Sequence, residues 1–475
     1  MARWTVAAAI GLGLIIASCT SDDPVDLDNS GAAPTSASST TASRVEPSTT
    51  TAEPAIDLPL VFVAPDPALT GADLDAFFEG QAFFNEVWTA VGPTETATDG
   101  LGPLFNADSC VACHASTGRR QVPPEGALVD PGLVIRLSVA GAAPTGAPLP
   151  EPSYGHQLQD KAIGAGPAEG TAFTNYVIQR GSYPDGTEFE IIWPTVNIRD
   201  RQHGPISVGT LVSARIGPQM IGMGLLEAIP QDAILALADP NDADGDGISG
   251  RPNVVWNPIT EELELGRFGW KSNIASLPHQ IAAAFNGDIG ITSSIVPTEN
   301  CAPGQSVCDE TSSGGTNEVS DERIEGLTTY LRGLAVPPQR TPDDPTVVAG
   351  GENFRTFGCA SCHIESFSTG VSEMNALTGR VVSPYTDLLL HDMGFDMGDD
   401  RPDFVATGNE WRTAPLWGLG LLPGEGDRGL LHDGRARTIE EAILWHGGEA
   451  ARSRANFMGA TAEDRTELVT FLESL

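Results

Sequence analysis

The chain has 475 residues, 40 % hydrophobic and 6 % aromatic, enough apolar material for two or three domains rather than one small module. Lys and Arg total 26 against 63 Asp and Glu, a net charge of −37 that excludes nucleic acid and anionic lipid headgroups as surface partners. The same charge suits a basic redox partner protein, or serves only to keep the surface soluble.

Met1-Ala2-Arg3 precedes an apolar run from Val6 to Ile16 that closes on Ala17-Ser18-Cys19, a secretory signal too short to span a bilayer. Ending on Ile-Ala-Ser-Cys, it resembles a bacterial lipoprotein box. That implies a signal peptide over residues 1–19, a lipid on Cys19 and a chain anchored to a membrane on its periplasmic or cell-surface side. A plain signal with an incidental Cys is the alternative. Residues 20–57 are Ser, Thr, Pro, Ala and Asp, too poor in large apolar side chains to fold, and read as a disordered tether.

From Leu69, "LTGADLDAFFEGQAFFNEVW" has helical apolar spacing and leads to Cys110-Val111-Ala112-Cys113-His114. A comparable helix, in "DPTVVAGGENFRTFGCASCH", leads to Cys359-Ala360-Ser361-Cys362-His363. In Cys-x-x-Cys-His two thiols are spaced to add to the two vinyl groups of one haem while the next His ligates its iron. The two pairs lie much too far apart in sequence for a compact four-thiolate zinc site, and neither has the βαβ setting of a thioredoxin-type pair. Two covalently bound haem c groups are therefore expected, on Cys110, Cys113 and His114 and on Cys359, Cys362 and His363.

Each unit is followed by an Arg, a Pro three residues on and Gly-x-Gly-Leu-Leu, in "RIGPQMIGMGLLEA" from Arg215 and "RTAPLWGLGLLPG" from Arg412, which marks an internal duplication. The expected fold is mainly α: two cytochrome c-like haem domains in tandem, over 58–340 with insertions and over 341–475, with long loops and a few short strands in the N-terminal half. Between them "DPNDADGDGISG" places Asp242, Asp244 and Asp246 at alternate positions before Gly247, the first half of a calcium loop. Its twelfth position is Asn253 rather than Glu, so it is no regular EF-hand, and a solvated acidic turn is the alternative. Cys301 and Cys308, in a Gly/Pro loop of an exported chain, read as a local disulfide.

Taken in order, "FNADSCVACH", "GLLEAIP", "DADGDGISGRPN", "GRFGWK", "FGCASCH", "EWRTAPLWGLG" and "LLHDGRARTIEEAILWHGGEA" resemble the di-haem c-type oxidoreductases. These are related to bacterial di-haem cytochrome c peroxidases and to the enzyme that matures the tryptophylquinone of methylamine dehydrogenase. The resemblance implies a peroxidase-like enzyme, one haem reacting with hydrogen peroxide or a related small oxidant and the other transferring electrons. It also implies a distal ligand after the "DGR" helix start, where Met or Tyr stands in the relatives and His446 stands here. A surface His at a helix end is the alternative, and His391, Met393 and Met397 are rivals for the iron. Trp270, Gln280 and Asp288 match a bridging Trp, an amide that orients peroxide and a carboxylate that moves its proton. Here the acid is Asp rather than Glu and comes two residues early. Were His156, His203 or Met220 to close the first iron, the chain would be a non-catalytic electron-transfer protein. Oxidation of a protein or metal partner is a third possibility.

Overall fold

The computed structural model describes residues 61–475 except 94–95, 116–125, 127, 129–131, 165, 311–313 and 423–428. The signal, Cys19 and the tether lie outside the described residues. Ile56–Leu475 make up one unit.

Alternation of apolar and polar residues builds more strand than the haem motifs suggest. In Leu133–Ala142 the side chains of Leu133, Ile135 and Leu137 are buried and those between them face the other way. This strand pairs antiparallel with Leu211–Ile216, from Leu133 opposite Ile216 to Ser138 opposite Leu211. Thr171–Ser182 and Glu188–Arg199 form a long two-stranded ribbon. Its turn contains Pro184-Asp185-Gly186, with Gly186 at φ +88° and Asp185 Oδ1 accepting from Thr187 N–H. The fold is thus mixed, 29 % helix and 20 % strand, and not the expected mainly α pair of cytochrome c-like domains. The physical reason lies in these period-two stretches, rich in β-branched and aromatic residues, and in helices that stop early, such as Met223–Ala228.

The helices around the two Cys-x-x-Cys-His units repeat one packing. Ala72–Phe84 crosses Asp321–Gly333, and Pro345–Thr356 crosses Ala462–Ser474. A Cβ on Gly80 would lie 2.0 Å from the Gly326 carbonyl oxygen, and a Cβ on Gly350 2.0 Å from that of Glu467, so only glycine allows either crossing. Gly80 and Phe84 correspond to Gly350 and Phe354, and "LTTYLRGL" from Leu327 corresponds to "LVTFLESL" from Leu468. In that correspondence Phe84 meets Tyr330 at 5.3 Å between ring centroids and Phe354 meets Phe471 at 5.4 Å. Three of these helices start on side-chain caps, Ser320, Asp344 and a Thr461–Asp464 capping box.

The duplicated Arg-x-x-Pro loops meet each other. Gly222 and Gly418 are both left-handed, at φ +69° and +70°. A Cβ on Gly222 would strike Trp417 at 2.3 Å, and one on Gly418 would strike Ile221 at 2.7 Å. The contact is reciprocal.

Candidate haem cavities

His114 follows the single helical turn Cys110–Cys113. Its Nδ1 lies 3.1 Å from the Pro218 carbonyl oxygen, which can only accept, so Nδ1 carries the proton and Nε2 keeps its lone pair. Burial holds this imidazole below its usual pKa, in the neutral form a metal needs. A Cβ on Gly217 would come to 3.0 Å from the ring, so the chain passes tightly against the imidazole there. Burial, with the Asp288 carboxylate acting in the same sense, pushes the Cys110 thiol up to about 12. The surrounding cavity is lined by Met220, Trp270, Gln280 and Asp288 among others.

Gln280 lies on helix Leu277–Ala284, which runs into a π-helical turn, Phe285–Ile289, that carries Asp288. The turn changes the phase of the chain and brings an Asp that falls early in sequence onto the same cavity wall as Gln280. Gln157 Nε2 donates to Asp288 Oδ1 at 2.8 Å. Of the three residues named as ligands that would close the first iron, Met220 lines this cavity; His156 and His203 are not part of its wall.

The second cavity repeats the donor set. His363 Nδ1 donates to the Tyr385 carbonyl at 2.8 Å, and burial brings its pKa to about 4, helped by the neighbouring His446. Burial pushes the Cys359 thiol to about 12. His446 follows helix Ile439–Leu444, and its Nδ1 donates to the Ala442 carbonyl at 2.7 Å, so a second neutral imidazole offers an Nε2 lone pair to the same cavity. The ribbon braces this helix: Ile192 N–H donates to Glu441, Tyr183 OH donates to Glu440, and Trp193 packs 4.6 Å from Trp445. Met393 and Met397 also line the cavity. His391 does so without a lone pair to give, since each of its ring nitrogens lies 2.8 Å from a carboxylate oxygen, of Asp387 or Glu449.

Gln219, Trp270, Arg412, Ala414 and Pro415 line both cavities. The Trp270 indole N–H donates to the Ile216 carbonyl at 2.8 Å, and Trp270 is 9 % exposed. Arg412 donates from Nε to the Gly269 carbonyl at 3.0 Å, and burial lowers its guanidinium to about 10.

Sequence reasoning missed the charged core beside Trp270. Lys271 is fully buried, its Nζ 2.8 Å from Asp399 Oδ1 and from the carbonyls of Arg401 and Thr407. Arg215 bridges Asp399 and Asp403 at 3.2 and 2.6 Å. Trp411 lies between Lys271, 4.3 Å over its ring, and His432, stacked at 3.7 Å. The signal was present in Lys271 next to Trp270 and in the Arg opening each duplicated loop.

Two motifs lie away from the cavities. Cys301 and Cys308 form a disulfide with Cα atoms 6.3 Å apart. In the acidic loop Asp239, Asp242 and Asp244 bring oxygens within 4.8 Å of one another, while Asp246 Oδ1 accepts from Ile248 N–H. The cluster therefore contains Asp239 and not Asp246.

A haem fits both cavities on donor chemistry: each has a cysteine pair, a neutral imidazole with its Nδ1 proton tied to a carbonyl, and a mostly apolar wall. Two such cavities sharing an indole define a two-centre haem oxidoreductase. The chain belongs to the family described as "Di-haem oxidoreductase, putative peroxidase", which it matches over residues 41–475. No curated protein matches it. Among solved structures, hydrazine synthase of Kuenenia stuttgartiensis under xenon pressure aligns over 94 % of this chain and 100 % of that one, at 15 % identity and a TM-score of 0.35.

Proposed function

We propose that this protein is an extracytoplasmic di-haem c oxidoreductase of the peroxidase type, tethered through a lipid on Cys19. Cys110 and Cys113 would hold the first haem and Cys359 and Cys362 the second, with His114 and His363 on the irons. When bound, the first haem supplies the site where peroxide or a related oxidant is reduced, and the second supplies electrons received from a redox partner protein.

The observation that carries this reading is the difference between two similar cavities. The second has His446 facing the same space as His363, so both imidazoles would be available to hold its iron. The first has an amide and a carboxylate instead, Gln280 and Asp288, and no second histidine in its lining. Asp288 holds or moves a proton at its carboxylate, whose position is set by the Gln157 amide. Gln280 orients the small oxidant, and Trp270 couples the cavities.

Met220 in the first cavity favours one other reading, an electron-transfer protein with both irons closed. Low-temperature electron paramagnetic resonance of the haem-loaded ferric protein, before and after reduction of one haem and addition of peroxide, separates the two. A high-spin signal that peroxide converts is expected. Two low-spin signals that never change would establish the electron carrier. In the same measurement His446→Ala should abolish the bis-histidine signal, and an unchanged spectrum would remove His446 from the iron.

A further inference from the structure

The first cavity contains a cation without a partner among the described residues. Among those residues Arg136, Arg215, Arg267 and Arg412 line it. Arg215 is bound by Asp399 and Asp403, Arg267 donates to the carbonyls of Leu226 and Ile229, and Arg412 donates to that of Gly269. Arg136 makes no side-chain hydrogen bond or ion pair among the described residues. It sits on strand Leu133–Ala142 and, with Gly132 and Val134, belongs to the face that forms the cavity wall. Asp288 is its strongest electrostatic neighbour, yet too distant to form an ion pair. Arg136 is half-buried in this wall, and a partly desolvated guanidinium without a counter-ion among the described residues is a place for an anion.

A second orphan lies behind that wall, on a residue hydrogen-bonded to Asp288. Gln157 is 3 % exposed, and its Nε2 donates to Asn106 Oδ1, the Gly287 carbonyl and Asp288 Oδ1, which identifies the other atom as the amide oxygen. That oxygen, Oε1, is buried without a partner. One point beside Gly287, where a Cβ would stand, lies 4.0 Å from Arg136 Nη1 and 4.0 Å from Gln157 Oε1. A cationic donor and an unfilled acceptor thus face one small space next to Asp288.

We propose that Arg136 and Gln157 form a subsite for a small oxyanion that also carries an O–H, of which deprotonated hydrogen peroxide is the simplest. The guanidinium donates to the anionic oxygen, and Gln157 Oε1 accepts from the hydroxyl. This deepens the peroxidase reading and rests on it, because it supplies the charge and orientation that reading needs at the first haem. The competing occupant of Arg136 is a haem carboxylate.

Fluoride is the probe, a small anion that binds ferric haem and depends on nearby hydrogen-bond donors. It is titrated optically into the full-length, haem-loaded ferric protein and into Arg136→Leu and Arg136→Lys. Wild-type protein is expected to bind fluoride, Arg136→Leu about tenfold or more weakly, and Arg136→Lys in between, as loss of one charge-assisted donor predicts. If Arg136→Leu fails to take up haem, Arg136→Lys against wild type decides, with a several-fold loss expected. Equal affinity in wild type and variants overturns the subsite and assigns Arg136 to a haem carboxylate, leaving the peroxidase reading intact. No fluoride binding to wild type means a closed first iron and overturns both.

Discussion

His391 lies between two carboxylates, and a carboxylate can only accept, so both ring nitrogens carry protons and the imidazole is charged. Burial opposes this, but hydrogen bonding to Asp387, Cys362 and Glu449 outweighs burial and pushes its pKa up to about 12. A folded pKa raised above the unfolded value gives stability that is complete below about pH 6.5 and is lost as pH climbs toward the folded value. Urea unfolding between about pH 7 and 10 should therefore show wild type losing up to about 1.4 kcal/mol per pH unit relative to His391→Gln. Parallel pH profiles would mean a neutral ring. Nothing in "LLLHDMG" distinguishes a clamped histidine from an iron ligand, because the two carboxylates that clamp it arrive from positions 387 and 449. His114 and His363 were legible as candidate ligands for the opposite reason: each stands in a motif of five consecutive residues.

At the level of elements, each helix crossing depends on one missing methyl group. Gly80→Ala and Gly350→Ala should each cost about 1–3 kcal/mol through overpacking, despite a gain of about 1 kcal/mol in helix propensity. Gly351→Ala, whose Cβ would meet Phe471 at an ordinary 3.5 Å, should be neutral or slightly stabilising by the same denaturant melts. Equal behaviour of all three would show that the crossings relax freely. The lead-in helices were legible from apolar spacing. The closing helices were overlooked, although "LTTYLRGL" and "LVTFLESL" carry the repeat, because their matching residues lie far from either cysteine pair. The length of the strands, expected to be few and short, went unread because a motif-led reading followed the cysteines, while the ribbon declares itself only through alternation and the Pro184-Asp185-Gly186 turn.

Across the whole molecule, the cavities are joined by the wall that contains Trp270. Trp270→Phe should slow electron transfer between the haems after flash reduction of one of them, and wild-type rates would take the indole out of the route. Motif order in the sequence was enough to group Trp270 with Gln280 and Asp288. The buried Lys271–Asp399–Arg215–Asp403 core beneath Trp270 was not, since its partners meet only through the fold. The two glycine crossings also differ in how much chain they must gather. Gly80 reaches Gly326 across a loop about twice as long as that from Gly350 to Glu467. Doubling a loop adds only about 0.6 kcal/mol of closure entropy, but longer-range contacts form more slowly. On refolding, the C-terminal helix pair should thus gain amide protection first in pulse-labelled hydrogen exchange. Arg412, Ala414, Pro415 and Trp417 would then already stand as part of the wall on which the N-terminal cavity closes, making the later segment of the chain the template for the earlier one.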